Sequence, residues 1–225
     1  MFLGHFAVGL AAKRVAPRAS LGTLVAAAQL ADLLWPIFLL VHAEHVVIRP
    51  GTTPVTPLEF VSYPYSHSLA MLAVWGALFA GGYALIRRNG WVAPLTIFAL
   101  VLSHWLLDLV MHVPDMPLTL TGPDRLGLGL WRSLPMSLAL EVAAFAAGVL
   151  IYVGATAPRD RVGRIGFAAL LGFLLLVYAA SVLGPPPPSD RAIGWSGIAM
   201  WLLVAWAGWV DRHRAPARGD AAGRG

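Results

Sequence analysis

The sequence predicts an all-α fold: a polytopic membrane helix bundle of about six transmembrane helices, preceded by a short N-terminal re-entrant helix. Three observations carry this expectation. The 225-residue chain is 58% hydrophobic and only 12% charged, about half the roughly 25% charged share of an ordinary soluble domain. Its apolar residues gather into runs of bilayer length, with Ala and Leu throughout, rather than alternating as barrel strands would. The basic residues fall in short clusters between those runs, as membrane topology requires.

The elements follow in order. Met1–Ala12 is largely apolar but shorter than the ~20 residues a span needs. No basic region precedes it and Lys13–Arg14 follow it, so it reads as a half-inserted helix kept on the mature protein rather than a signal peptide. Six longer runs come next: Leu21–Val41, His67–Ile86, Trp91–His112, Ser133–Tyr152, Ile165–Leu183 and Ile193–Val210. Each ends at Pro, Gly or charge, and Pro36 is expected to kink the first. Their Gly and Ala content suits close helix packing. The loops on one side are His42–Ser66, Val113–Arg132 and Gly184–Ala192, the last stiffened by Pro185–Pro188. Residues 1–210 read as one transmembrane domain, and 211–225 as a disordered basic tail.

Twelve basic residues, among them Lys13, Arg14, Arg87, Arg88, Arg159 and Arg212, fall on one side of this six-span arrangement; Arg49, Arg125, Arg132 and Arg191 fall on the other. By the positive-inside rule the first side, with the C-terminus, is cytoplasmic, in a multi-pass protein of the inner (plasma) membrane. The net charge of +5 is thereby accounted for, and no nucleic-acid partner is expected. With no cysteine in the chain, disulfides, thiolate zinc sites and thiol nucleophiles are excluded.

Six ionisable residues lie where lipid should surround the chain: His5, Asp32, His67, His104, Asp108 and Glu141. An acid near the centre of a bilayer costs about 2.5–3.5 kcal/mol on insertion scales and marks function by default. His104, Asp108 and His112 are spaced i, i+4, i+8, so they stack along one helical face, and i, i+4 spacing lets two side chains chelate one ion. The alternative for this face is a polar contact with a neighbouring helix. His112 is open between ligand and simple interfacial histidine. Helical rise brings Asp108, Asp32, His67 and Glu141 toward the same outer half of the bilayer, and a re-entrant first helix would lift His5 toward them. Ser66 is placed to cap the second span. His42-Ala43-Glu44-His45 forms a competing metal motif at the membrane edge, while Glu59, Asp115, Asp124 and Arg125 read as solvated loop residues.

Gly4-His5, Ala31-Asp32, Tyr65-Ser66-His67-Ser68 and Ser103-His104-Trp105-Leu106-Leu107-Asp108 together resemble the membrane-bound metal-dependent hydrolase family typified by YdjM-like inner-membrane proteins. The resemblance covers roughly residues 1–115. It implies that His5, Asp32, His67, His104 and Asp108 hold metal. The chain departs from the family pattern in lacking a second aspartate and histidine after Asp32, and in having Tyr63-Pro64-Tyr65 where a His-Arg pair is common.

The expectation is therefore an enzyme binding one or two divalent ions, zinc or manganese, through those five residues. The ion would activate a water, with Asp32 or Glu141 taking its proton, against a lipid-linked or amphipathic substrate. The competing expectations are a metal- or proton-coupled transporter using the same residues, and a purely structural polar contact between helices.

Overall fold

The computed structural model describes residues 1–88 and 90–217. The chain is mostly helical with little sheet. Phe2–Ala11 (α1) is a ten-residue helix, about 15 Å long at 1.5 Å per residue, and Leu3, His5, Phe6 and Leu10 on it are buried. Leu21–Ala28 (α2) starts at Ser20, whose hydroxyl accepts the Thr23 N–H at 3.1 Å; this satisfies one of the donors a helix start leaves free. Leu30–Leu40 (α3) follows after a 60° bend. The expected kink at Pro36 is thus found at Gln29 instead. Pro36 lies inside α3, and its ring fills the space over Gly197, where a Cβ would sit 2.3 Å from Pro36 Cγ.

The segment expected to be loop, His42–Ser66, contains a hairpin. His45–Ile48 (β1) pairs antiparallel with Leu58–Ser62 (β2), Ile48 opposite Leu58 and Val46 opposite Phe60. Its β-branched and aromatic residues fit a pleated, half-buried surface. Pro64–His67 (α4) is a single turn that breaks at Ser68, and Leu69–Arg87 (α5) begins there. Val92–Met111 (α6) leads into a minimal pairing of Met116–Pro117 (β3) with Arg125–Leu126 (β4). Leu134–Ala155 (α7) runs into Thr156–Pro158 (β5). Phe167–Leu183 (α8) continues a π-helical turn over Val162–Gly166, and Asp190–Ile198 (α9) passes into Met200–Arg212 (α10).

Among the described residues, five helical stretches are long and apolar enough to cross a membrane: Leu69–Arg87, Val92–Met111, Leu134–Ala155, Val162–Leu183 and Asp190–Arg212. The bent pair α2–α3 makes a sixth if counted as one span. All six correspond to apolar runs in the sequence.

Two apolar clusters flank α1 and α2. One gathers Leu24, Leu72, Ile97, Val101 and Trp105; the other gathers Leu3, Phe145, Leu174 and Leu203. Small residues let some of these helices pack very closely. The α1–α7 contact shows how close: a Cβ on Gly148 would lie 2.5 Å from the Ala7 carbonyl oxygen and 2.6 Å from Ala7 Cα. Only glycine lets α7 approach α1 this nearly, and that approach brings Glu141, two turns earlier, to the start of α1.

The far end of the bundle is tied by charge. Lys13 Nζ meets Asp211 Oδ2 at 2.6 Å and the Ala19 carbonyl at 2.9 Å, while the Leu21 N–H also donates to Asp211. Arg214 lies over the Tyr152 and Phe167 rings and bonds Thr156 and the Gly163 carbonyl. Arg214–Pro216 (β6) pairs with β5. Residues 211–216, where the expected tail begins, form the end of α10 and strand β6, and the buried Arg214 guanidinium finds the acceptors it needs on Thr156 and Gly163. The rest of that expected tail, 218–225, lies outside the described residues.

Candidate metal centre

Four elements deliver the ionisable residues to one place. α6 presents His104 and Asp108 one turn apart, with His112 at its C-terminal cap; α1 brings His5, the α4 turn brings His67, and the first turn of α3 brings Asp32. Asp108 is the hub. Its Oδ1 lies 3.1 Å from His5 Nε2, and its Oδ2 lies 3.1 Å from His104 Nε2 and 3.9 Å from both His67 Nε2 and His112 Nε2. Asp32 Oδ1 is 3.4 Å from His67 Nε2 and 3.8 Å from His104 Nε2. His5, His104 and Asp108 form a buried group able to hold a metal ion, and Asp32, His67 and His104 form a second that shares His104.

The partners of the other ring nitrogens assign the tautomers. His104 Nδ1 is 2.8 Å from the Ala28 carbonyl; a carbonyl only accepts, so Nδ1 carries the proton. Ala28 is the last residue of α2, where carbonyls lack partners within the helix. The bend at Gln29 is what leaves this carbonyl free. His112 Nδ1 donates to Asp115 Oδ1 at 2.9 Å. His67 Nδ1 lies 2.7 Å from Ser66 Oγ, whose own proton goes to Glu44 Oε2 at 2.6 Å.

Three imidazoles thus spend their Nδ1 proton on an oxygen away from the centre. Each turns its Nε2 toward carboxylate oxygen. A proton on Nε2 or a cation between it and the carboxylate makes such an approach attractive, and an orienting acceptor on the second nitrogen is the usual support of a metal-bound histidine. His104 Nε2 fits this reading closely: buried and 3.1 Å from Asp108 Oδ2, it is still out of line for a hydrogen bond. His5 differs. Its Nε2 is hydrogen-bonded to Asp108 Oδ1, and its buried Nδ1 has no partner among the described residues. Its ring instead stacks on His104 with centroids 3.7 Å apart.

The two candidate proton acceptors part company. Glu141 is buried, and its two oxygens accept the Phe2 N–H at 2.8 Å and the Gly4 N–H at 2.9 Å. It caps α1 from a neighbouring helix, answering the unpaired N–H groups and the positive end of the helix dipole. The Met1 amino nitrogen contacts Asp108 Oδ1 beside it. Asp32 is the accessible acid: its side chain is 27% exposed, against 3% for Asp108. Asp32, His67, Asp108 and His112 line one end of a cavity of about 490 Å³, within the usual range of small-molecule sites. The other walls are mostly apolar and come from the ends of α8 and α9, the β1–β2 connection and Trp131, which lies 4.0 Å from the His112 ring. Among the described residues, no lysine or arginine lines this cavity.

His42 and His45 are exposed and do not reach the centre. Only Glu44 of that motif turns inward, because His42 adopts φ 57°, a left-handed conformation that histidine tolerates better than most residues. Burial pushes the Glu44 carboxyl up, and its two hydrogen bonds from Ser66 pull the other way. Ser66 does not cap α5; Ser68 does, accepting the Met71 N–H at 3.2 Å. Glu59 pairs with Arg49 at 2.8 Å. Asp115, read from sequence as solvated, instead holds His112 and accepts a 2.9 Å hydrogen bond from Tyr63. Burial and that acceptor keep the Tyr63 phenol protonated well above its usual range. The i, i+3 spacing of His112 and Asp115 was the only sequence signal for it.

Fold and site together define a helical protein compatible with a membrane, holding a His/Asp group able to bind a metal ion. Comparison of the chain with family models, with curated proteins and with solved structures finds no match.

Proposed function

We propose that this protein is a membrane-embedded metal-dependent hydrolase acting on a lipid-linked or amphipathic substrate. The observation that carries the reading is the convergence of three outward-anchored imidazoles, through Nε2, on Asp108. A mixed imidazole and carboxylate set suits zinc or manganese. A bound cation would make water acidic and polarise the group to be cleaved.

The chain's own residues supply the rest. Asp32, on the cavity side, takes the proton of the attacking water. The apolar walls hold the hydrocarbon part of the substrate, and Trp35, Phe60 and Trp131 flank its polar end. Glu141 organises α1 and takes no part in proton transfer. In this reading α1 is re-entrant, the bent pair α2–α3 is the sixth span, the C-terminus is cytoplasmic and the membrane is the inner (plasma) membrane. Kinship with the YdjM-like hydrolases rests on the five motif residues, all of which lie at the centre.

The test is a pair of measurements on detergent-purified protein. Elemental analysis should find a divalent metal that His104→Ala and Asp108→Ala lose. Hydrolysis of short-chain fatty esters and of phosphodiester lipids should require that metal and fall at least a hundredfold in Asp32→Asn. Metal retained in both alanine variants, or hydrolysis indifferent to a chelator, overturns the proposal.

One observation favours a second reading, ion transport. The 60° break between α2 and α3 puts Asp32 in the first turn of a half-helix, an arrangement transporters use for ion sites. Cation flux into liposomes without hydrolysis would select it.

A further inference from the structure

Glu44 and Ser66 lie outside the residues proposed to hold metal, yet one hydrogen-bond chain ties them to His67. The Ser66 N–H donates to Glu44 Oε1 at 2.8 Å, the Ser66 hydroxyl donates to Oε2 at 2.6 Å, and His67 Nδ1 lies 2.7 Å from that hydroxyl oxygen. All three residues are buried. A hydroxyl has one proton. With it committed to the carboxylate, Ser66 Oγ faces His67 only as an acceptor, and Nδ1 must carry the imidazole proton. In the neutral ring the lone pair then sits on Nε2, the nitrogen that faces Asp32 and Asp108.

Local structure builds this relay from residues far apart in sequence. The left-handed turn at His42 closes α3, with the Ala43 and Glu44 N–H groups both reaching the Phe38 carbonyl. Glu44 is thereby aimed back under the hairpin. The single turn of α4 stacks Ser66 against it and ends at His67.

We infer that Glu44 and Ser66 are positioning residues that select the Nδ1–H tautomer of His67 and hold its Nε2 toward the metal centre. This rests on the proposed metal site, and its failure can be told apart from failure of that site. Outer partners of metal-bound histidines typically contribute 10–100-fold in affinity. The probe is zinc alone, titrated into the full-length protein in detergent against a competing chelator.

Ser66→Ala and Glu44→Ala should each weaken zinc binding about 10–100-fold, and Glu44→Gln, which keeps one acceptor, should fall between. Because both residues act through one proton, the double variant should be no weaker than the worse single one. Nitrogen-15 NMR of histidine-labelled wild type supplies a readout independent of variant folding: His67 should be protonated at Nδ1, and Ser66→Ala should release it to a mixture of tautomers. Equal zinc affinity in wild type and Glu44→Ala, additive losses in the double variant, or an Nε2–H tautomer in wild type would each overturn the relay. Wild type that binds no zinc, with His67 still protonated at Nδ1, would sink the metal site and leave the relay standing.

Discussion

Replacing Glu141 by alanine separates two roles for this acid. Its oxygens accept the Phe2 and Gly4 N–H groups at 2.8 and 2.9 Å, in a setting where the residue is 2% exposed. Hydrogen bonds to a charged partner contribute about 1.5–3 kcal/mol each, so removing both costs about 3–6 kcal/mol if nothing relaxes. Glu141 also borders the cavity, and water entering the vacated space would recover part of that, leaving about 2–4 kcal/mol. At roughly 2–4 °C per kcal/mol for a chain of this size, the thermal midpoint in detergent should drop by about 5–15 °C. Glu141→Gln, with one acceptor left, should lose about half as much. The assay is thermal unfolding followed by helical circular dichroism, with metal content measured on the same samples. A Glu141→Ala protein as stable as wild type that has lost only hydrolysis would refute the capping role and restore Glu141 as a proton acceptor.

Other outcomes follow from the same geometry. Gly148→Leu should separate α1 from α7, since its Cβ alone would lie 2.5 Å from the Ala7 carbonyl oxygen; a loss beyond the ~1–3 kcal/mol of ordinary overpacking and disordering of His5 should show in thermal unfolding and in histidine NMR. Asp211→Ala strips Lys13 of its ion partner and Tyr152 and Leu21 of an acceptor; it should destabilise by about 3–5 kcal/mol, as breaking a buried pair does, and leave metal binding intact. Glu44 sets a pH dependence. Its folded pKa is raised above the ordinary 4.5 by burial, so the folded chain binds this proton more tightly than the unfolded one. The resulting cost is absent below 4.5 and grows as pH rises from there through the raised value. Unfolding midpoints should fall across that window in wild type and flatten in Glu44→Gln; an unchanged slope would contradict it.

The helices were legible because bilayer-length apolar runs leave little choice of element: each of the six runs corresponds to helix in the structure. The bend was not. Pro36 is the visible helix breaker, but its ring is accommodated within α3 against Gly197, and the chain turns at Gln29, where the freed Ala28 carbonyl meets His104. That is a long-range event no local pattern encodes. His104 and Asp108 were readable from i, i+4 spacing in an apolar helix, and His5, Asp32 and His67 from the rarity of ionisable groups in such runs. The hydrogen bonding of Glu141 was hidden for a related reason. Burial marks it as special, but only the position of α1 shows that its oxygens are already taken. Glu44 was masked by its flanking histidines, which face outward, and its partner Ser66 is 22 residues away.

The most direct test of the account is the metal content of wild-type protein purified without added chelator, set beside that of His104→Ala with its fold verified. The expected result is a divalent ion retained by wild type, removed by strong chelation, restored by zinc or manganese, and missing from the variant. A wild-type protein that takes up neither ion, yet keeps His67, His104 and His112 protonated at Nδ1 in the folded state, would contradict it.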